Sequence, residues 1–317
     1  MKKILAVVLS VVMLLAMTAC GAPANEKYTV GICQLVKHDA LDAATQGFMD
    51  ALVEELGEEN VEFDLQNAAG DSNTCSTIVN TFVSDDVDLI MANATPALQA
   101  AAAATDEIPI LGTSVTEYGV ALDIANFTGL VGNNISGTSD LAPLDQQAAM
   151  VKEWFPDAKN VALLYCSAEA NSQYQVDTVQ KYLEEMNYTC KQFSFADSND
   201  MAAVTEDAAA YADVIYVPTD NAIANAAGIV DGVCRPAGVP VIAGEAGICS
   251  GCGVATLSIS YYDLGVTTGK MAAKILKGEA NISEMEIEYA ETFTPQYNAD
   301  ICAELGLTPK DGYTALG

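Results

Sequence analysis

Residues 213–225, Asp-Val-Ile-Tyr-Val-Pro-Thr-Asp-Asn-Ala-Ile-Ala-Asn, run a short apolar stretch into Pro218, Thr219, Asp220 and Asn221 before an alanine-rich segment begins. Residues 88–98, Asp-Leu-Ile-Met-Ala-Asn-Ala-Thr-Pro-Ala-Leu, follow the same plan. An unbroken apolar run of this length suits a strand buried on both faces, and the polar cluster with helical periodicity after it marks the exit into a helix. A strand feeding a helix is one unit of a parallel sheet, so meeting the unit in both halves of the chain implies two such sheets. The carboxylate of Asp220 has two readings within that unit. It caps the helix by accepting from orphan amides, or it faces the crevice at the strand tip where open α/β sheets hold ligands.

The alternation continues outward from these stretches. Strands expected at 28–33, 61–65, 87–92 and 109–111 alternate with helices at 41–56, 73–83 and 96–104. The series restarts with strands at 161–166, 189–195, 214–217 and 239–243 and helices at 173–186, 200–211 and 222–233. The two series overlay at a shift of roughly 125 to 133 residues, a coarse duplication rather than a short repeat array. Asp71-Ser72-Asn73 corresponds to Asp197-Ser198-Asn199, Cys33 to Cys166, and Ala94-Thr95-Pro96 to Thr219-Asp220-Asn221. The expected fold is therefore α/β, with two Rossmann-like lobes, each a parallel sheet flanked by helices. If the lobes face each other, both polar strand tips line one cleft, as in a hinged ligand clamp.

The ends and the composition bound the compartment and the partners. Lys2 and Lys3 precede an apolar run over 4–17 that closes on Met17-Thr18-Ala19-Cys20-Gly21. The run is short for a membrane span, which needs roughly 20 residues, and reads as an export signal. Its end resembles a bacterial lipobox, although Met17 stands where leucine is usual. Residues 1–19 are then a signal peptide, Cys20 the lipidated first residue of the mature protein, and 20–27 a tether. The formal charge of −30 repels nucleic acid and anionic lipid, so the only expected membrane contact is the lipid anchor. Among 13 basic residues Arg235 is the single arginine, in a stretch that reads as a surface turn. Eight cysteines follow Cys20, scattered through apolar segments as small hydrophobes. Only Cys249-Ser-Gly-Cys252 has redox or metal spacing, and without a second pair it reads as a structural loop or local disulfide.

Several segments in order resemble the tryptophan/tyrosine-type substrate-binding lipoproteins of bacterial ABC importers, with the type I periplasmic-binding-protein fold. They are His38-Asp39-Ala40-Leu41-Asp42, Gln66 to Asp71, Ala94 to Ala97, Ser139-Asp140-Leu141, Glu169 to Ser172, Tyr216 to Asn221, Tyr261 to Gly265, and Gly269 to Ala273. Asp39 departs from the family, which commonly has proline there. The resemblance implies three crossings between lobes, with 28–139 plus 262–281 in the first and 140–261 plus 282–317 in the second. It also implies an extracytoplasmic, lipid-anchored monomer that delivers a small solute to ABC permease subunits, with no cofactor, no metal and no catalysis.

The cleft loops carry hydroxyls, amides and the acids Glu117, Asp140, Glu169, Asp220 and Glu245, against Lys37 and His38 as the only possible cations. A dianion suits this set poorly. A ligand carboxylate could be held by Thr95 at a helix start, with Ser114 adding a hydroxyl. An ammonium group would seek Asp220 or Glu245. Gln34, Asp140, Asn171 and Ser172 complete the candidate ligand-binding set, with His38 on the wall or in an exposed loop and Tyr118 as the clearest cleft aromatic. Trp154 reads as a helix anchor. A zwitterionic amino acid, aromatic or hydrophobic, fits best. A nucleoside, small sugar or signalling molecule on the same fold is the alternative, and a cell-surface enzyme a weaker one, since no nucleophile and base or metal quartet can be assembled.

Overall fold

The computed structural model describes residues 27–316. The expected signal peptide and the expected lipidation site Cys20 lie outside the described residues. In chain order the first half holds β1 (Tyr28–Gln34), α1 (Asp39–Leu56), β2 (Val61–Asn67), α2 (Ser72–Ser84), β3 (Leu89–Asn93), α3 (Thr95–Ala104), β4 (Ile110–Val115), α4 (Tyr118–Ala121) and β5 (Ile135–Ser139). The second half holds α5 (Leu144–Trp154), β6 (Asn160–Cys166), α6 (Ala170–Glu185), β7 (Thr189–Phe195), α7 (Met201–Tyr211), β8 (Val214–Val217), α8 (Asn221–Ala237), β9 (Val241–Ala243), α9 (Ala246–Cys252) and β10 (Ala255–Ser258). Then come α10 (Tyr261–Leu276), β11 (Glu288–Tyr289), β12 (Thr294–Tyr297), α11 (Ala299–Glu304) and β13 (Thr314–Ala315).

These strands form two sheets, ordered β11-β5-β4-β3-β1-β2 and β13-β12-β10-β9-β8-β6-β7. The named pairs are parallel except β10 with β12. Central strands β3, β4 and β8 are buried along their whole length, as two helical layers require, whereas the edge strand β2 is largely wet on one side. Val30, Ile32, Phe48, Leu89 and Met91 fill one side of the first sheet, and Cys75, Val79, Phe82, Ile90 and Leu98 the other. The duplication is structural as well as textual. Asp88 Oδ2 accepts from Thr29 N at the start of β1 (2.7 Å), and Asp213 Oδ2 from Asn160 N at the start of β6 (2.9 Å).

The chain passes between the sheets after β5, after β10 and between β11 and β12, giving a three-strand hinge. The expected boundary at 281/282 shifts, because β11 pairs in parallel with β5 and keeps the chain on the first sheet through Tyr289. Helix α10 returns to the first lobe by lying directly on α1. A side chain at Gly265 would collide with the Ala44 carbonyl, and one at Gly47 with the Tyr262 carbonyl, so the backbones meet without side chains between them. Trp154 anchors the end of α5, buried edge-on against Tyr313 with ring centroids 5.3 Å apart. Two expectations are corrected. Cys249 and Cys252 lie one turn apart on α9, buried as separate thiols rather than in a loop or a disulfide. Arg235 belongs to the last turn of α8, paired with Asp231 (2.8 Å) and Glu304 (3.2 Å).

Candidate functional site

Strand tips from both lobes and the hinge enclose a narrow cavity of about 10 Å³. The first lobe contributes His38, Ala40, Leu41, Ser114 and Thr116. The second contributes Asn171, Thr219, Asp220, Asn221, Ala224 and Glu245, and Asp140 and Tyr261 close it at the hinge. These side chains sit together because each terminates a buried strand or opens the helix after it, the place where α/β sheets present ligand groups.

Three buried carboxylates, Asp140, Asp220 and Glu245, line this cavity and a fourth, Glu169, lies behind Asn171 and Asn221, and they do not do the same work. Asp220 caps α8, its Oδ1 accepting from Ile223 N (2.9 Å), while Oδ2 accepts from Cys166 N across the sheet (2.7 Å). Both readings of Asp220 thus meet in one residue, cap and cavity wall. Glu245 caps α9 through Gly247 N (2.6 Å) and Ile248 N. Glu169 precedes α6 and binds the start of α8, accepting from Asn221 Nδ2 (2.6 Å) and Ala222 N (2.9 Å). Asp140 alone caps nothing. Its Oδ2 accepts from the Tyr261 hydroxyl (2.9 Å), and its Oδ1 is buried without a partner.

Burial governs the electrostatics. It raises Asp140 and Asp220 above the usual carboxylate range and pushes Glu169 and Glu245 up to about 7, with the charge of Asp220 adding to the effect on Glu169. Among the described residues no ion pair balances the group, and burial lowers His38 and favours its neutral ring. The Tyr261 phenol is held well above its ordinary range, first by burial and then by Asp140, and so remains a neutral donor.

The other candidates divide. Ser114 and Asn171 are on the wall, and Ser114 Oγ and Asn171 Oδ1 have no partner. Thr95 opens α3 one strand away, 2 % exposed, and its Oγ1 is also unpartnered. Ser172 is packed behind the wall, fully buried, its hydroxyl accepting from Asn171 Nδ2 (3.4 Å). Gln34 faces away from the cavity into a lock between β1 and α1, bonded to Thr45, Asp42 and the Val36 carbonyl at 2.6 to 2.8 Å. Tyr118, expected in the cleft, is core: its hydroxyl donates to the Thr138 carbonyl (3.0 Å) and its ring stacks on Phe127. Backbone strain marks the first lobe's tips. Ala94 and Ser114, neither of them glycine, adopt φ of 89° and 53° at the ends of adjacent strands.

Tyr261, Thr116 and Asn221 were not among the candidates. The register of α10 could have pointed to Tyr261, because Tyr261, Leu264, Gly265, Thr268 and Ala272 follow the spacing of one helix face and all are buried.

The family model described as ABC transporter substrate binding protein matches residues 29–315. The chain belongs to that family. It is 37 % identical over 259 residues to a tyrosine-binding protein of Clostridioides difficile, across 81 % of this chain and 74 % of that one. Among solved structures, a domain from Streptococcus pneumonia in complex with L-Trp is 30 % identical, with a TM-score of 0.87 over 92 % of this chain and all of the other. A ligand-free, open substrate-binding protein with adhesive properties from Clostridium difficile is 35 % identical, yet its TM-score is 0.70 over 91 % and 99 % of the two chains. The L-Trp complex, the less similar in sequence of these two, superposes better on this chain than the open, ligand-free protein does. A glucose-galactose-binding protein of Geobacillus stearothermophilus, 14 % identical with a TM-score of 0.61, shares the fold.

Proposed function

We propose that this protein is the extracytoplasmic solute-binding lipoprotein of an ABC importer, and that its solute is a zwitterionic amino acid with an aromatic or hydrophobic side chain. In this reading Cys20 carries the lipid anchor, and the protein works as a monomer that delivers its solute to the permease subunits. The lobes, 28–139 with 261–289 and 140–258 with 294–316, move as two bodies about the three-strand hinge and perform no chemistry on the solute. The relatives named for tyrosine binding and solved with L-Trp support an aromatic side chain.

One observation carries the zwitterion. Three of the four buried carboxylates are taken up by helix starts, and the fourth, Asp140, keeps an unpartnered oxygen in a cavity shared with the unpartnered hydroxyl of Ser114. An ammonium group suits Asp140, with Asp220 and Glu245 as its negative surroundings. The solute carboxylate suits Ser114 and the start of α3 at Thr95, where the helix amides favour one negative charge. Asn171 meets the remaining polar edge and His38 forms the wall.

Thermal-shift screening against amino acids, sugars and nucleosides tests this. A true ligand at ~100 times its Kd adds roughly 2.7 kcal/mol of stability. Stabilisation by sugars or nucleosides alone would overturn the amino-acid reading, and membrane retention of Cys20→Ala would overturn the anchor.

A further inference from the structure

Away from the hinge, one side-chain hydrogen bond joins the facing loops of the two lobes among the described residues: His38 Nε2 lies 3.2 Å from Asn221 Oδ1. His38 is the residue that begins α1, in extended conformation, yet its side chain makes no bond to its own helix. The ring reaches across the cleft instead.

The partner is held in one orientation. Asn221 Nδ2 donates to Glu169 Oε2 at 2.6 Å and its backbone N donates to the same oxygen at 3.2 Å. A carboxylate acceptor leaves the amide no freedom to flip, so Oδ1 must be the face shown to His38. The contact is then satisfied only when His38 carries its proton on Nε2. Both residues also line the polar cavity, and Asn221 separates it from a larger, half-open cleft walled by Leu35, Val36, Pro96 and Ala168.

We infer that His38 is the positioning residue for lobe closure, a latch that docks onto the preset Asn221–Glu169 pair and slows escape of the solute. The inference rests on the amino-acid-binding reading for its solute, but not for its geometry. A ligand held by a latch that forms after entry leaves more slowly without entering faster, so the latch acts on the off-rate.

The experiment compares wild type, His38→Ala and His38→Gln by stopped-flow binding of L-tyrosine and L-tryptophan and by small-angle X-ray scattering with and without them. One neutral hydrogen bond sets the scale, so His38→Ala should release the ligand about three- to tenfold faster, with its on-rate little changed. Its scattering should show a larger radius of gyration, and His38→Gln, whose amide can donate across the cleft, should recover part of both. Wild-type off-rate and scattering in His38→Ala would overturn the latch. So would an affinity loss confined to the on-rate. If wild type binds neither amino acid, the proposed function fails while the latch is judged on the ligand-free proteins: an envelope expanded by Ala and recompacted by Gln supports it, and identical envelopes refute it.

Discussion

Asp140→Asn separates the charge of the hinge carboxylate from its shape. Asparagine retains an oxygen to accept the Tyr261 hydroxyl, which bonds Asp140 at 2.9 Å, and replaces the unpartnered oxygen with a donor of equal size. Without a ligand the charged form is a burden, because burial raises Asp140 and no cation among the described residues pairs with it. Neutralising it should leave the ligand-free melting temperature unchanged or raise it. With an amino acid bound, the same change removes one partner of a buried ion pair, a loss of about 2 to 5 kcal/mol. That is roughly a 30-fold to several-thousand-fold weaker Kd. Calorimetry with L-tyrosine measures the affinity, and differential scanning fluorimetry measures the stability in parallel. The expected pattern is a ligand-dependent shift that disappears while the ligand-free transition stays. Affinity within about threefold of wild type would remove Asp140 from the ammonium site. The pH dependence adds an independent check. An ammonium needs the ionised carboxylate, so affinity should weaken as pH falls through the raised value of Asp140.

Asp220→Asn should behave differently, because one amide oxygen cannot replace two carboxylate oxygens that accept from Ile223 N and Cys166 N. A loss of about 1 to 3 kcal/mol in ligand-free stability is expected from denaturant titration, and an unaltered midpoint would contradict the capping role. Gly265→Ala should separate α10 from α1 by driving a methyl into the Ala44 carbonyl, lowering the melting temperature by several degrees. Glu169 and Glu245, both pushed up to about 7, bind protons more tightly in the folded than in the unfolded chain. Their contribution is complete below the unfolded carboxylate pKa and is lost as pH rises through about 7. Glu245→Gln should therefore show a shallower fall in melting temperature between pH 5 and pH 8 than wild type, and parallel profiles would refute the shift.

The architecture was legible because parallel strands covered on both faces must be apolar throughout. Runs such as Val214–Val217 and Leu89–Asn93 stand out for that reason. Strands with polar or small residues did not. Ile135–Ser139 reads Ile-Ser-Gly-Thr-Ser, and its hydroxyls are buried only because Thr138 bonds Thr113 (3.1 Å) and Thr268 (2.9 Å) across the fold, partners that no local pattern reveals. At the site the residue types were legible and their division of labour was not. Asp220, Glu245 and Glu169 look alike as acids at strand tips, but which oxygen a backbone amide already occupies depends on neighbouring strands. Tyr118 and Gln34 mark the same limit: each lies near a strand tip, yet one turns into the core and the other under α1.

On the proposed reading, the duplication lets one cleft hold both ends of a zwitterion without an arginine. Overlaying the halves sets Thr95 where the second lobe has Asp220, at the exits of the equivalent strands β3 and β8. In the second lobe the start of α8 carries its own anion, and the amides it would offer a ligand are already engaged by Asp220 and Glu169. In the first lobe α3 begins after Ala94, which offers no side chain to cap it, and the hydroxyl of Thr95 is buried and unpartnered. A helix start without its own cap retains attraction for a negative group, whereas one closed by a carboxylate presents negative charge to the cleft. Two copies of one strand–helix unit therefore give opposite poles from a single difference in capping. Thr95→Asp sets a fixed negative charge at that helix start, and it should abolish amino-acid binding in calorimetry. Binding that survives Thr95→Asp would place the carboxylate elsewhere and remove the polarity of the two lobes as its cause.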